Sequence, residues 1–285
     1  RDFTSNQLIE SISVNQTGDA YITYDGGIGV LNRVGVARDG ESFNVSRDRL
    51  ISGGNTGLVA PKGFDIADEL GWVLVAENNA PGSVRVFGAQ ADGNVAPIFN
   101  VTLTVQPWDL DYDPAGDRLY VALTDGTVGV FDDFSTDRGA GGADRIITPA
   151  EGGTPFAAPT NLHGIVHVAD GDKLIVSDVG SGGNPTDGKL YVLNNASTAD
   201  GTTNVAVRID DEDNAAVGNT QLGNPVDIAF DGTNLYVAEK SQGMVLRFDN
   251  ILSSPGGDLA PDASIAQAAP ESVVLIADYL GRAPE

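Results

Sequence analysis

Pro225-Val226-Asp227-Ile228-Ala229-Phe230-Asp231-Gly232, followed by Asn234-Leu235-Tyr236-Val237-Ala238-Glu239, decides how this chain folds. Two short apolar runs flank an Asp-Gly turn, the pattern of a β-hairpin. The second run recurs as Ala20-Tyr21-Ile22-Thr23, Val73-Leu74-Val75-Ala76, Leu119-Tyr120-Val121-Ala122 and Leu174-Ile175-Val176-Ser177, with copies about 45 to 60 residues apart. Each copy follows another strand, around Ile12, Ile66, Leu110, Ile165 and Ile228. Each precedes a third, which ends in Val30-Leu31, Val86-Phe87, Val130-Phe131, Val192-Leu193 or Arg247-Phe248. A weaker fourth strand completes the unit at 43–51, 98–103, 145–148, 205–209 and 263–266.

Four short strands per repeat, joined by Gly, Pro and Asp turns without helical periodicity, predict an all-β fold, a β-propeller of four-stranded blades. One such sheet cannot bury both faces alone, so blades stack around an axis. The reading gives a single domain over 1–285, with repeats at about 11–62, 63–107, 108–162, 163–225 and 226–268 and a partial sixth over 269–285. The partial repeat rests on an echo: Ala269-Pro270 followed by Ile276-Ala277-Asp278-Tyr279-Leu280-Gly281 matches Ala60-Pro61 followed by Ile66-Ala67-Asp68-Glu69-Leu70-Gly71, with one extra residue. Five complete repeats plus the first strand of a sixth favour a six-position ring. Five blades with the last strand packed elsewhere is the alternative. An incomplete blade leaves backbone groups free to pair with an added strand.

The Pro225 to Glu239 motif resembles the NHL repeat and its YVTN and SMP-30/gluconolactonase-like relatives. The resemblance covers most of the chain and concerns architecture. It implies a ligand face around the channel mouth, where loops entering first strands and loops joining second to third strands converge. The chain is not WD40-like, because Trp108-Asp109 opens an innermost strand and no Gly-His partner precedes it.

Composition narrows the function classes. The 285 residues include 40 acidic and 16 basic side chains, for a net charge of -24, and no cysteine. Disulfides, thiolate metal sites and a cysteine nucleophile are excluded. Nucleic acid and anionic lipid are poor partners for such a chain, since phosphate binding requires Lys and Arg. The excess of Asp suits a salt-screened, hydrated surface, or equally a turn-dense β protein. No apolar run long enough for a membrane helix occurs. The sequence opens on Arg1 without a signal-type stretch, as expected of a processed mature form or a fragment. An extracellular, cell-surface or periplasmic location is expected.

On the mouth face the sequence places Lys62, Trp108, His163 and Asn224 at first-strand entrances. Tyr24, Asp25, Glu77, Asn78, Asn79, Asp125, Asp178, Glu239 and Lys240 fall on second-to-third loops. This carboxylate- and amide-rich set suits a hard cation such as Ca²⁺. One step inside the channel, Asp65, Asp109 and Asp227 are read as equivalent, with Ser11 and Gly164 in the other two repeats. They form either a ring around a cation or acceptors for nearby backbone N–H groups.

Other constellations fail. His163 and His167 are four residues apart in a strand, about 13 Å, too far to share a metal. Asp109, Asp111, Asp113 and Asp117 are divided between a strand and a turn, with no closing Glu. The acidic run 210–214 reads as a solvated loop, and the glycine-rich loop 180–188 lacks the helix a phosphate cradle needs. No Gly-x-Ser-x-Gly elbow is present.

Three functions follow. The first is a non-catalytic binding or assembly module working through its mouth face or unpaired terminal strand, with a protein partner or a second copy. The second, implied by the SMP-30 resemblance, is a metal-dependent lactonase or hydrolase with Glu77, Asn78 and Asp178 around a cation, although its Pro-Asn-Gly and Pro-Asp-Gly signatures are absent. The third is a polymer joined by strand addition.

Overall fold

The computed structural model describes residues 7–36, 42–211 and 217–276. Residues 1–6, the 277–285 part of the sixth repeat and positions 212–214 of the acidic run lie outside them.

The hairpins predicted from the apolar runs are formed. The first unit comprises β1 (Ile9–Val14), β2 (Ala20–Tyr24), β3 (Gly27–Leu31) and β4 (Arg49–Ser52). The second comprises β5 (Pro61–Ala67), β6 (Trp72–Glu77), β7 (Ser83–Gly88) and β8 (Phe99–Thr102). The third comprises β9 (Pro107–Asp113), β10 (Arg118–Leu123), β11 (Val128–Phe131) and β12 (Arg145–Glu151), with the two-residue β13 (Thr154–Pro155) folded onto β12. The fourth comprises β14 (Leu162–Val168), β15 (Lys173–Asp178), β16 (Lys189–Asn194) and β17 (Gly201–Ile209), and the fifth β18 (Pro225–Phe230), β19 (Leu235–Glu239), β20 (Met244–Phe248) and β21 (Ala263–Ala266). Strands within each unit pair antiparallel in chain order. The outermost strands β12 and β17 also pair, in parallel, with Ile147 opposite Gly201.

These sheets are blades of a β-propeller. First strands lie side by side, with β1 against β5, β5 against β9, β9 against β14 and β14 against β18. Alternation along each strand sends one set of side chains toward the next blade and the other toward the previous one. Tyr21, Ile28, Val30 and Ile51 of the first blade thus bury against Phe64, Val73, Val75 and Phe87 of the second. Equivalent clusters join the second blade to the third, the third to the fourth and the fourth to the fifth. Both faces of the middle blades are covered, which is why their second strands are continuous apolar runs rather than alternating ones.

The first strands share one irregularity, and it sets the register of the channel. Each bulges near its start, between Ile9 and Ser11, Pro61 and Phe64, Leu162 and Ile165, and Pro225 and Asp227, and opposite Ala122 and Leu123 in the third blade. Beyond the bulge, Ile12, Phe64, Leu110, Ile165 and Ile228 face the centres of their second strands. The residues just before these are Ser11, Gly63, Asp109, Gly164 and Asp227.

Residues 267–276 continue from β21 toward the axis and lie between β18 and β1. Gln267 N–H closes the fifth blade by donating to Gly243 O, 2.8 Å. Ser272 Oγ and Val273 N–H then donate to Asp227 Oδ2, at 2.5 and 2.9 Å, and Ile12 N–H donates to Ser272 Oγ at 3.2 Å. The third and fourth blades show the same offset, with Ile165 N–H donating to Asp109 Oδ2 at 3.3 Å. Ser272 therefore stands where Asp109 stands, and Pro270 matches Pro61, Pro107 and Pro225. This alignment runs without a gap and puts Leu275, not Ile276, at the place of Ile66. The extra residue inferred from the sequence echo is not needed.

Gly63 carries a consequence of this register. A Cβ there would fall on the Asp109 carboxylate, so the second blade needs glycine where the third has Asp. Gly63→Ala is expected to lower stability by about 1 to 3 kcal/mol through overpacking, read from the midpoint of urea unfolding.

Candidate functional site

The residues immediately outside this register position form the channel mouth: Glu10, Lys62, Trp108, His163, Val226 and Glu271. Lys62 Nζ pairs with Glu10 Oε1 at 2.5 Å and lies 5.0 Å from the Trp108 ring centroid. Trp108 also stacks on His163, centroids 3.6 Å apart at 11°. Lys240 reaches Glu271 at 2.6 Å. The mouth is nearly filled, and the cavity beneath Trp108, Asp109 and Asp227 is only about 10 Å³.

Of the residues read as first-strand entrances, Lys62, Trp108 and His163 lie together, and Asn224 is not their equivalent. It lies two residues before Val226 and donates its N–H to Glu239, 2.8 Å, while its Oδ1 is buried without a partner among the described residues. Asn161 Oδ1 and both ring nitrogens of His163 are likewise buried and have no partner among the described residues. Desolvation, with Lys62 and Lys240 adding to it, holds His163 well below the usual imidazole range, so it is neutral at physiological pH. His167 stacks separately on Tyr120, and burial lowers it too.

The loop carboxylates do a different task. Tyr24, Glu77, Leu123, Asp178 and Glu239 occupy one position, each opposite the first residue of its blade's first strand. Buried Glu77 accepts N–H groups of Val59, Ala60 and Asn79 at 2.8 to 2.9 Å. Asp178 accepts from Asn161 and Gly180 N–H, both 2.8 Å, and from the Tyr191 hydroxyl at 3.3 Å. Glu239 accepts from Gly223, Asn224 and Ser241 N–H at 2.8 to 3.0 Å. Each carboxylate ties the loop entering its blade to the loop leaving the second strand. Burial pushes Asp178 and Glu239 upward, and these backbone donors oppose the rise. Asn78 Nδ2 donates to Pro107 O at 3.0 Å. Tyr24 is half-buried, Asp25 N–H donates to Leu8 O, and exposed Asp125 accepts from Thr127.

Below the mouth, a cavity of about 230 Å³ runs between the first strands. Here the register corrects the sequence reading. Asp109 and Asp227 are equivalent, each two residues after the proline that opens its strand, but Asp65 lies four residues after Pro61 and so stands two residues down the channel, level with Asp111. Asp65 Oδ2 accepts Tyr112 N–H at 2.9 Å, and Asp111 Oδ2 accepts His167 N–H at 2.6 Å. The channel thus carries two carboxyl tiers, Asp109 with Asp227 above Asp65 with Asp111. Each of the four accepts a backbone N–H from the next element around the ring.

Desolvation raises all four carboxyls, and like charge adds to it: Asp227 raises Asp109, and Asp65 raises Asp111. Asp227 is pushed up to about 6 and Asp111 to about 8. Asp111 lay within the 109–117 run that the sequence reading set aside. Strand alternation from Asp109 was the signal that places it in the channel. Among the described residues, no three His, Asp or Glu side chains converge in a way that could hold a metal ion.

Comparisons with known proteins agree on the fold and stop there. No protein-family model and no curated protein sequence matches the chain. Solved structures do. A nidogen/laminin complex gives a TM-score of 0.63 at 15% identity over 93% of this chain and 84% of that one. Hydrazine synthase of Kuenenia stuttgartiensis gives 0.57 at 14% identity, over 94% and 90%. The WD40 propeller domain of Doa1 gives 0.54 at 9% identity, over 93% and 71%. At these identities the likeness is one of architecture. It supports the propeller and does not single out the NHL, YVTN or SMP-30 families.

The raised carboxyls predict a pH dependence. Folded Asp111 keeps its proton up to about pH 8, whereas the unfolded chain releases it near pH 4. Its contribution to stability is therefore full below pH 4 and is lost as the pH rises to 8. Asp111→Asn, which mimics the protonated form, is expected to gain stability relative to the parent between pH 5 and 8.5. Urea unfolding at both values reads the change.

Proposed function

We propose that this protein is a non-catalytic binding propeller, working outside the cytoplasm, which engages another protein through an open side of its ring. In this reading the ring has six positions, and residues 270–276, where the described residues end, supply the first strand of the sixth. What carries the reading is a cleft of about 750 Å³ between that segment and the first blade, lined by Ile12, Val14, Ala20, Ile22, Leu31 and Val34. These side chains form the face that an adjoining blade would cover, as Phe64, Val73, Val75 and Phe87 of the second blade are covered by the first. One structural relative was solved as a nidogen/laminin complex, an assembly in keeping with a protein-binding role.

The competing metal-dependent hydrolase needs free carboxylate oxygens at the mouth. Glu77 and Asp178 are already engaged by backbone donors, and Asn78 is turned to Pro107. With Ca²⁺, Zn²⁺ or Mn²⁺ added, the purified chain is expected to show no turnover of an aldonolactone above buffer. Glu77→Gln is expected instead to cost about 1 to 3 kcal/mol of stability, because the amide replaces an acceptor of several buried N–H groups. Metal-dependent turnover abolished by Glu77→Gln and Asp178→Asn would contradict the reading.

A further inference from the structure

We propose that the open side of the ring takes an extended, apolar and positively charged segment of another protein, added as a strand along residues 271–276. The inference rests on the open side being the binding surface and adds the chemistry of its occupant.

The first observation is the free edge. Val273 N–H turns inward to Asp227, so by strand alternation the N–H groups of Val274 and Ile276 point to the outer edge. In the five complete blades that edge of the first strand carries the second strand. Among the described residues, no backbone-to-backbone hydrogen bond joins 268–276 to another segment. Val274 and Ile276 line the cleft with Ile12, Ala20, Ile22 and Leu31, and Ile276 and Ile9 remain 47% and 39% exposed. An added strand would pair with the edge and bury one apolar row in the cleft, the β-addition mode of peptide recognition.

The second observation limits the size of the occupant. On the fifth blade, the third-strand position held by buried Val30, Val86, Val130 and Val192 elsewhere is Arg247. Its guanidinium is bound by Asp249 at 2.7 and 3.2 Å, and Ile265, opposite Val245 on the outermost strand, is 71% exposed. A full apolar blade would have to bury this ion pair at a desolvation cost. A single strand or narrow hairpin over the first blade leaves it in water.

Charge then selects the occupant. The chain carries a net charge of -24, so a second copy approaches against like charge, while a basic segment is drawn in.

The test uses labelled peptides that carry the sequence of residues 119–123, a second strand of this chain, flanked by two lysines or by two glutamates at each end. Fluorescence anisotropy with the whole chain is expected to show saturable binding of the lysine form and at least about tenfold weaker binding of the glutamate form. Ile22→Asp in the cleft and Val274→Pro at the edge, each checked for an intact thermal transition, are expected to weaken the lysine peptide by at least about tenfold. Absence of binding, equal binding of the two forms, or binding unchanged in both variants overturns the proposal. Salt-induced dimers in sedimentation velocity, lost in the same variants, would assign the cleft to a second copy and overturn it too. These outcomes are independent of the turnover assay. Peptide failure without turnover leaves a non-catalytic propeller with a different occupant, and turnover removes the binding reading itself.

Discussion

The structure depends on a hydrogen bond repeated across the channel, from a backbone N–H of one first strand to a side-chain oxygen on the strand before it. Asp65 receives Tyr112, Asp109 receives Ile165, Asp111 receives His167, Asp227 receives Val273 and Ser272 receives Ile12. Inner strands of a propeller have one edge with no β-partner, and its N–H groups cannot be left dry. Short acidic and hydroxyl side chains close that edge without building a continuous barrel. The same constraint desolvates four carboxyls in one narrow space and raises their proton affinity. Acidity in the channel is thus a consequence of how the blades are joined.

The bond also explains why the C-terminal segment sits where it does. Asp227 is served by residues 272–273, whose N–H and hydroxyl take the place that the next first strand fills at Asp109. Ser272 passes the pattern on to Ile12, so the same bond leads from the fifth blade through residues 272–273 back to the first. Among the described residues, the first blade keeps an apolar face toward a cleft with residues 270–276 beside it. Natural sheets cover or charge such edges. Here Arg247 charges the opposite wall, and the first blade's wall stays apolar.

Much of the architecture was legible in the sequence, because the Leu-Tyr-Val-Ala run and its turns recur where second strands form, at β10 and β19 without change. The fourth strand of the fifth blade, read at 263–266, is β21. What sequence could not reveal was register at the mouth. Asp65-Ile66 mimics Asp109-Leu110 and Asp227-Ile228 in sequence, yet it falls four residues after Pro61 where those fall two after Pro107 and Pro225, so Asp65 was aligned with Asp109 and Asp227 when its level is that of Asp111. Glu77, Asp178 and Glu239 were visible as acids on one face. Besides the local N–H groups of Asn79, Gly180 and Ser241, their backbone donors come from loops 15 to 18 residues away in the chain, a partnership with no local signal that invites reading them as ligands. The parallel pairing of β12 with β17 has no sequence mark at all.

The central claim is that residues 271–276 hold the sixth inner-strand position. Amide hydrogen exchange followed by NMR tests it residue by residue. The account predicts slow exchange of Val273 N–H, comparable with Ile165 and Tyr112 N–H, beside fast exchange of Val274 and Ile276 N–H at the free edge. Uniformly fast exchange across 271–276, with Ile165 and Tyr112 protected, would contradict it.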